Sequence, residues 1–142
     1  AVIAMDLDHF KRINDTFGHL TGDKVLIALA EVIRACLREQ DRPFRVGGEE
    51  FIALLPTASA AQASEVAERL RAAVAQRVMP DSVGRVTVSI GVALWPQDGE
   101  SAPDVIRRAD EALYQSKQTG RNRVTLWRDM APAAPPQPTH RH

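Results

Sequence analysis

The sequence has no surplus of charge: 18 basic residues balance 18 acidic ones, for a formal net charge of zero. That excludes it from the proteins that hold nucleic-acid polymers or anionic membranes by overall charge. Any anionic ligand must be held by local groups. Cysteine is nearly lacking as well. The single Cys36 cannot form a disulfide within the chain, which favours an intracellular location, and its place in an apolar helical pattern suits a small core residue. No apolar run reaches membrane-spanning length and no signal-peptide pattern occurs. The domain is therefore read as cytoplasmic, without direct membrane contact of its own.

What is present is ordinary for a soluble globular chain: 142 residues, 44% apolar and 25% charged, enough for one domain around one core. The domain is expected to span residues 1–128. Its first residues, "AVIAMDLD", already lie inside a strand-like run, as in a fragment of a longer protein. Missing N-terminal regions could anchor that parent to a membrane. At the other end "MAPAAPPQPTHRH" holds four of the nine prolines and nothing to pack, so 129–142 is expected to be a disordered tail.

Between these ends the pattern is regular. An apolar run over 1–6 predicts a buried strand ending at Asp6. "DHFKRINDTFGH" predicts a helix with Asp8 as N-cap and Gly18 as its stop. From Gly22 to Leu37, the residues Val25, Leu26, Leu29, Val32, Ile33, Cys36 and Leu37 recur at helical spacing. "RPFRVGGEEFIALLP" gives two β-type runs joined through Gly47 and Gly48, a hairpin signal. A second long helix covers about 60–78. Val86, Val88, Ile90, Val92 and Leu94 alternate as a strand with one face on a core requires. A Ser101/Asp104 capping pattern opens a helix that Gly120 ends, and "RVTLW" makes a last strand. The order β, α, α, hairpin, α, β, α, β implies an α/β fold of one sheet with helices packed on it.

Each candidate functional residue has a plain structural reading beside it. A "GGEE" turn standing alone reads as solvated charge at a hairpin tip. With Asp6 at a neighbouring strand end, Glu49 and Glu50 instead suit Mg²⁺, which takes one or two carboxylates plus substrate phosphates. Asp8 reads as a cap. The backbone N–H groups near His9 and Phe10, at a helix start, suit phosphate, and Lys11 adds a cation. Lys117, Arg121 and Arg123 favour a helix C-terminal dipole or hold a triphosphate opposite the metal. Asn14 and Asp23 serve as caps or turn residues, or read a base edge. Arg38 and Asp41, spaced as R-x-x-D, read as a helix-end ion pair when taken alone.

Taken together, "MDLDHFKRINDTFGHLTGD", "RVGGEEF", "VTVSIGVA" and "ADEALYQSKQTGRNRV" resemble, in order and spacing, the GGDEF domain of diguanylate cyclases over residues 1 to about 127. The resemblance implies a palm-like α+β fold related to nucleotidyl cyclases, with a mostly antiparallel central sheet and flanking helices. It implies condensation of two GTP molecules into cyclic di-GMP with release of two pyrophosphates, across a homodimer. Asp6, the Leu7 carbonyl, Glu49 and Glu50 would hold Mg²⁺, with Mn²⁺ as an alternative, and Glu49 would help deprotonate the attacking 3′-hydroxyl. Asn14 and Asp23 match guanine-reading positions. Lys11, Lys117 and Arg121, with the amides near His9 and Phe10, match triphosphate contacts. Arg38 and Asp41 match an inhibitory site for cyclic di-GMP, with Arg69 of "AERLR" as a secondary arginine. The family's "DxLTGLxNR"-like stretch, which precedes the first strand and helps shape the guanine pocket, does not occur in this sequence. A silent module that only senses GTP or cyclic di-GMP is the alternative.

Overall fold

The computed structural model describes residues 1–130. Along the chain run β1 (Val2–Leu7), α1 (Phe10–Phe17), α2 (His19–Cys36), β2 (Arg42–Gly47), β3 (Glu50–Leu54), α3 (Ala60–Gln76), β4 (Val88–Ala93), α4 (Ala102–Gln118) and β5 (Val124–Leu126), then a 3₁₀ turn at Trp127–Asp129. The strands form one sheet in the order β2-β3-β1-β4-β5. Only the β4–β5 pairing is parallel. The expected α/β architecture, mostly antiparallel with flanking helices, is the one observed.

The two-residue period of β1 divides the core. Ile3, Met5 and Leu7 face α2 and α3, where Val25, Leu29, Ile33, Leu70 and Val74 bury with them. Val2 and Ala4 face the other way, onto Val105, Ala109 and Leu113 of α4. Burying each such Leu, Ile or Val contributes roughly 1.5–3 kcal/mol. The α4 layer lies very close to the sheet. A Cβ placed on Gly91 of β4 would overlap the backbone of Ala109, Ala112 and Leu113, so only glycine lets α4 settle there.

Three expectations need correction. β4 is buried at all six residues and begins at Val88, not Val86, because α4 covers the face that alternation left to solvent. The long helix α2 starts at His19 rather than Gly22, since Gly18 at φ 89° both ends α1 and admits the next helix without a linker. Asp8 does not cap α1. His9 takes that place at φ 58° with no side-chain cap, and the Asp8 carboxylate is used elsewhere. At the C-terminus Asp129 belongs to the 3₁₀ turn, and the Met130 N–H donates to the Trp127 carbonyl at 3.1 Å. The rest of the expected tail, 131–142, lies outside the described residues.

Candidate active site

Strand register brings the acidic residues together. Asp6 of β1 lies directly opposite Glu50 of β3 on one side and Ser89 of β4 on the other. These three form a row across the sheet on the face covered by α4, from which Lys117 pairs with Asp6 Oδ2. The other oxygen, Asp6 Oδ1, is buried with no hydrogen-bond partner. Burial raises the Asp6 carboxyl above its ordinary range, Lys117 opposes that rise, and the nearby Glu49 and Asp8 charges add to it.

Gly48 and Glu49 form a two-residue turn between the paired Gly47 and Glu50, with Gly48 at φ 45°. Glu49 therefore stands at the tip, half-buried, while Glu50 opens β3. Burial pushes the Glu50 carboxyl up to about 7, helped by Asp110 within hydrogen-bond reach and by the Asp6 charge. Asp110 escaped the sequence reading. Its signal was its position: it precedes Lys117 by seven residues, two turns along the same face of α4.

Among the described residues no group of three or more His, Cys, Asp or Glu is arranged to hold a metal ion. Mg²⁺ does not need one, since it accepts one or two carboxylates and takes its remaining ligands from phosphates and water. The unpartnered Asp6 Oδ1 beside Glu49 and Glu50 fits such an ion. Leu7, also named as a ligand through its carbonyl, closes β1 next to Asp6.

The α1–α2 corner collects the residues assigned to the nucleotide. The first turn of α1, with Phe10 and Lys11, has no side-chain cap on its N–H groups. Asn14 of α1 faces Gly22 of α2 so closely that a Cβ there would overlap Asn14 Oδ1, and that oxygen too is buried without a partner. Asp23, the next residue of α2, lines a groove of about 510 Å³ with Leu26, Ile27, Phe44, Arg45 and Phe51.

Beyond α4, Arg121 and Asn122 both adopt left-handed backbone, at φ 61° and 47°. Such residues cost about 1–3 kcal/mol each and persist where surrounding contacts over-determine them. Here the Arg121 N–H donates to the Ser116 carbonyl at 2.9 Å, and the Asn122 N–H donates to Asp8 Oδ2 at 3.1 Å. The Arg121 side chain is exposed. Arg123 turns back instead, its Nε donating to the Arg121 carbonyl at 3.1 Å.

A separate cluster surrounds the end of α2. Asp41 is 4% exposed, and its Oδ2 accepts from the Arg38 N–H at 2.9 Å with Arg38 Nε 3.6 Å away. Its Oδ1 is buried without a partner. Arg69 of α3 reaches across to donate to the Cys36 carbonyl at 3.1 Å. The tertiary structure thus gathers Arg38, Asp41 and Arg69 at one place.

Comparison with known proteins bears on this geometry. The family model described as the diguanylate cyclase GGDEF domain matches residues 1–123. Diguanylate cyclase A of Treponema denticola is 48% identical over 136 residues, covering 94% of this chain and 37% of its own length. Diguanylate cyclase DgcM of Escherichia coli is 46% identical over 124 residues, covering 87% of this chain and 30% of its own length. The chain spans about a third of these curated relatives. Among solved structures, the GGDEF domain of DgcB from Caulobacter crescentus, in complex with c-di-GMP, superposes with a TM-score of 0.83 at 40% identity, over 90% of this chain and 77% of that one. The active GGEEF domain of a Vibrio cholerae diguanylate cyclase gives a TM-score of 0.83 at 36% identity, over 91% and 83%. The fold is the palm-like one that the resemblance implied. A match over residues 1–123, joined to relatives and structures at this identity, places the chain in the GGDEF diguanylate cyclase family.

Proposed function

We propose that this chain is a catalytically competent diguanylate cyclase domain, condensing two GTP molecules into cyclic di-GMP across a homodimer. One observation carries the reading. Among the described residues, the buried side-chain oxygens left without a hydrogen-bond partner are Asp6 Oδ1, Asn14 Oδ1 and Asp41 Oδ1. An unsatisfied buried acceptor costs about 1–3 kcal/mol, so each calls for a partner outside the protein. They fall on the assigned metal ligand, the assigned guanine reader and the assigned inhibitory-site aspartate.

In this reading Asp6, Glu49, Glu50 and the Leu7 carbonyl hold Mg²⁺ (or Mn²⁺), which supplies neutralising charge to the phosphate oxygens. Asn14 and Asp23 orient the guanine. The amides of Phe10 and its neighbours, with Lys11, Lys117 and Arg121, hold the triphosphate. Lys117, which pairs with Asp6, exchanges that partner for phosphate. Each 3′-oxygen attacks the α-phosphorus of the facing GTP, losing its proton toward Glu49. The new O–P bond forms as the bond to the β-phosphate bridging oxygen breaks and pyrophosphate leaves. Two such steps close the ring. Arg38, Asp41 and Arg69 bind the product and limit turnover. The domain works in the cytoplasm. Among the described residues no helix is long and apolar enough to cross a membrane.

Product analysis with GTP and Mg²⁺, on the chain fused to a dimerising partner, tests this. Cyclic di-GMP is expected from wild type, none from Glu49→Ala, and undiminished turnover with weakened product inhibition from Arg38→Ala. A wild-type chain that binds GTP yet yields no cyclic di-GMP would leave only the sensor reading.

A further inference from the structure

Asp6 and Asp8 sit two residues apart and reach the same sheet face, yet their oxygens are used differently. Both oxygens of Asp8 are committed to protein donors. Ser89 Oγ donates to Oδ1 at 2.6 Å, Thr87 Oγ1 donates to Oδ2 at 2.7 Å, and the Asn122 N–H donates to Oδ2 at 3.1 Å. The residue is only 5% exposed. A carboxylate accepts from all three at once; asparagine would keep one oxygen for Thr87 and the Asn122 N–H while its NH₂ reversed the Ser89 bond, whereas an apolar side chain would leave the Asn122 N–H without its acceptor. The far side of the same turn is braced too. Arg71 of α3 donates from Nη1 to Asn122 Oδ1 at 2.9 Å, and its Nε donates to Glu68 Oε1 at 2.7 Å.

We propose that Asp8 is a positioning residue: with Arg71 behind it, it holds the left-handed Arg121–Asn122 turn in the shape that presents Arg121 to the triphosphate. The inference rests on the nucleotide reading above. Asp8 is thereby set apart from the assigned metal ligands, because both of its oxygens accept from protein donors whereas Asp6 Oδ1 accepts from none. Two consecutive non-glycine residues at positive φ are held where a free chain would abandon them. The backbone beside Arg121 is thus held by Asp8, just after β1, and by Arg71 of α3 rather than by α4 alone.

The test compares affinities of the full chain for a non-hydrolysable GTP analogue and for GMP, by calorimetry with Mg²⁺, alongside amide exchange at Asn122. Asp8→Leu, which removes every acceptor, is expected to weaken the triphosphate analogue about tenfold or more, to leave GMP within about twofold, and to speed Asn122 exchange. Arg71→Met should act in the same direction more weakly, and it keeps the test alive should Asp8→Leu fail to fold. Asp8→Leu combined with Arg121→Ala should be no weaker than Arg121→Ala alone, since both remove one interaction. Equal loss of both nucleotides, full additivity with Arg121→Ala, or a changed Mg²⁺ requirement with unchanged Asn122 exchange would each overturn the proposal. A wild-type chain that takes up no triphosphate removes the functional reading and this inference together. Wild-type uptake with unaffected variants removes this inference alone.

Discussion

Glu50 carries the clearest single-residue consequence. Its carboxyl is raised to about 7 by burial and by the neighbouring Asp110 and Asp6 groups. The folded chain therefore keeps a proton that the unfolded chain releases near the ordinary glutamate value of 4.5. Between those two values the native state binds more protons, so its stability falls as pH rises. Below that window the contribution is fully present, and above about 7 it is gone. Thermal melts in EDTA should show Tm declining from pH 5 to pH 8, and Glu50→Gln should flatten the decline. A divalent cation relieves the same repulsion, so Mg²⁺ should raise Tm more at pH 8 than at pH 5. Cross-strand register puts Glu50 opposite Asp6 and keeps Glu49 at the tip, near enough for its charge to act on Asp6.

Among elements, the α1–α2 corner tests how backbone approach shapes a site. Gly22 lies inside α2, where alanine would be favoured by roughly 1 kcal/mol on helix propensity. Its missing Cβ is what leaves room for Asn14, a flexible side chain that could move aside at little cost. Gly22→Ala is therefore expected to keep or slightly raise Tm while displacing Asn14, raising KM for GTP about tenfold through lost base recognition. A lowered Tm with unchanged KM would contradict this account. Element identity was largely legible beforehand, because apolar spacing and capping residues act within a few residues of themselves. The misplaced cap of α1 has a long-range cause. Asp8 has the local signature of an N-cap, but Thr87 and Ser89, about 80 residues away, offer its carboxylate better donors than the helix start does.

For the whole molecule, each chain offers one row of carboxylates and one turn proposed to hold a triphosphate, whereas the proposed product contains two nucleotides. A lone chain is then expected to bind GTP and turn over poorly. Specific activity should rise with enzyme concentration and become independent of it when a dimerising partner is fused. Initial rates measured across a hundredfold dilution series, on the order of that range, decide the matter. Rates strictly proportional to enzyme at every dilution would count against turnover across two chains.

By itself the sequence determined the order of strands and helices, which follows from periodicity and turn chemistry, local properties of the chain. The mostly antiparallel sheet and the residues expected to meet a nucleotide and a divalent cation came from its resemblance to the GGDEF family. Only the tertiary structure decided how these side chains are used: Asp6 with a buried oxygen left unpartnered, Asp8 accepting from Thr87, Ser89 and Asn122, Glu50 sharing its site with Asp110, and Arg71 bonded to a turn it does not adjoin. Lys117 meets Asp6 across 111 residues and Asn122 meets Asp8 across 114. Register between strands and the close seating of α4 on Gly91 set those meetings, and neither is encoded within any short stretch of sequence.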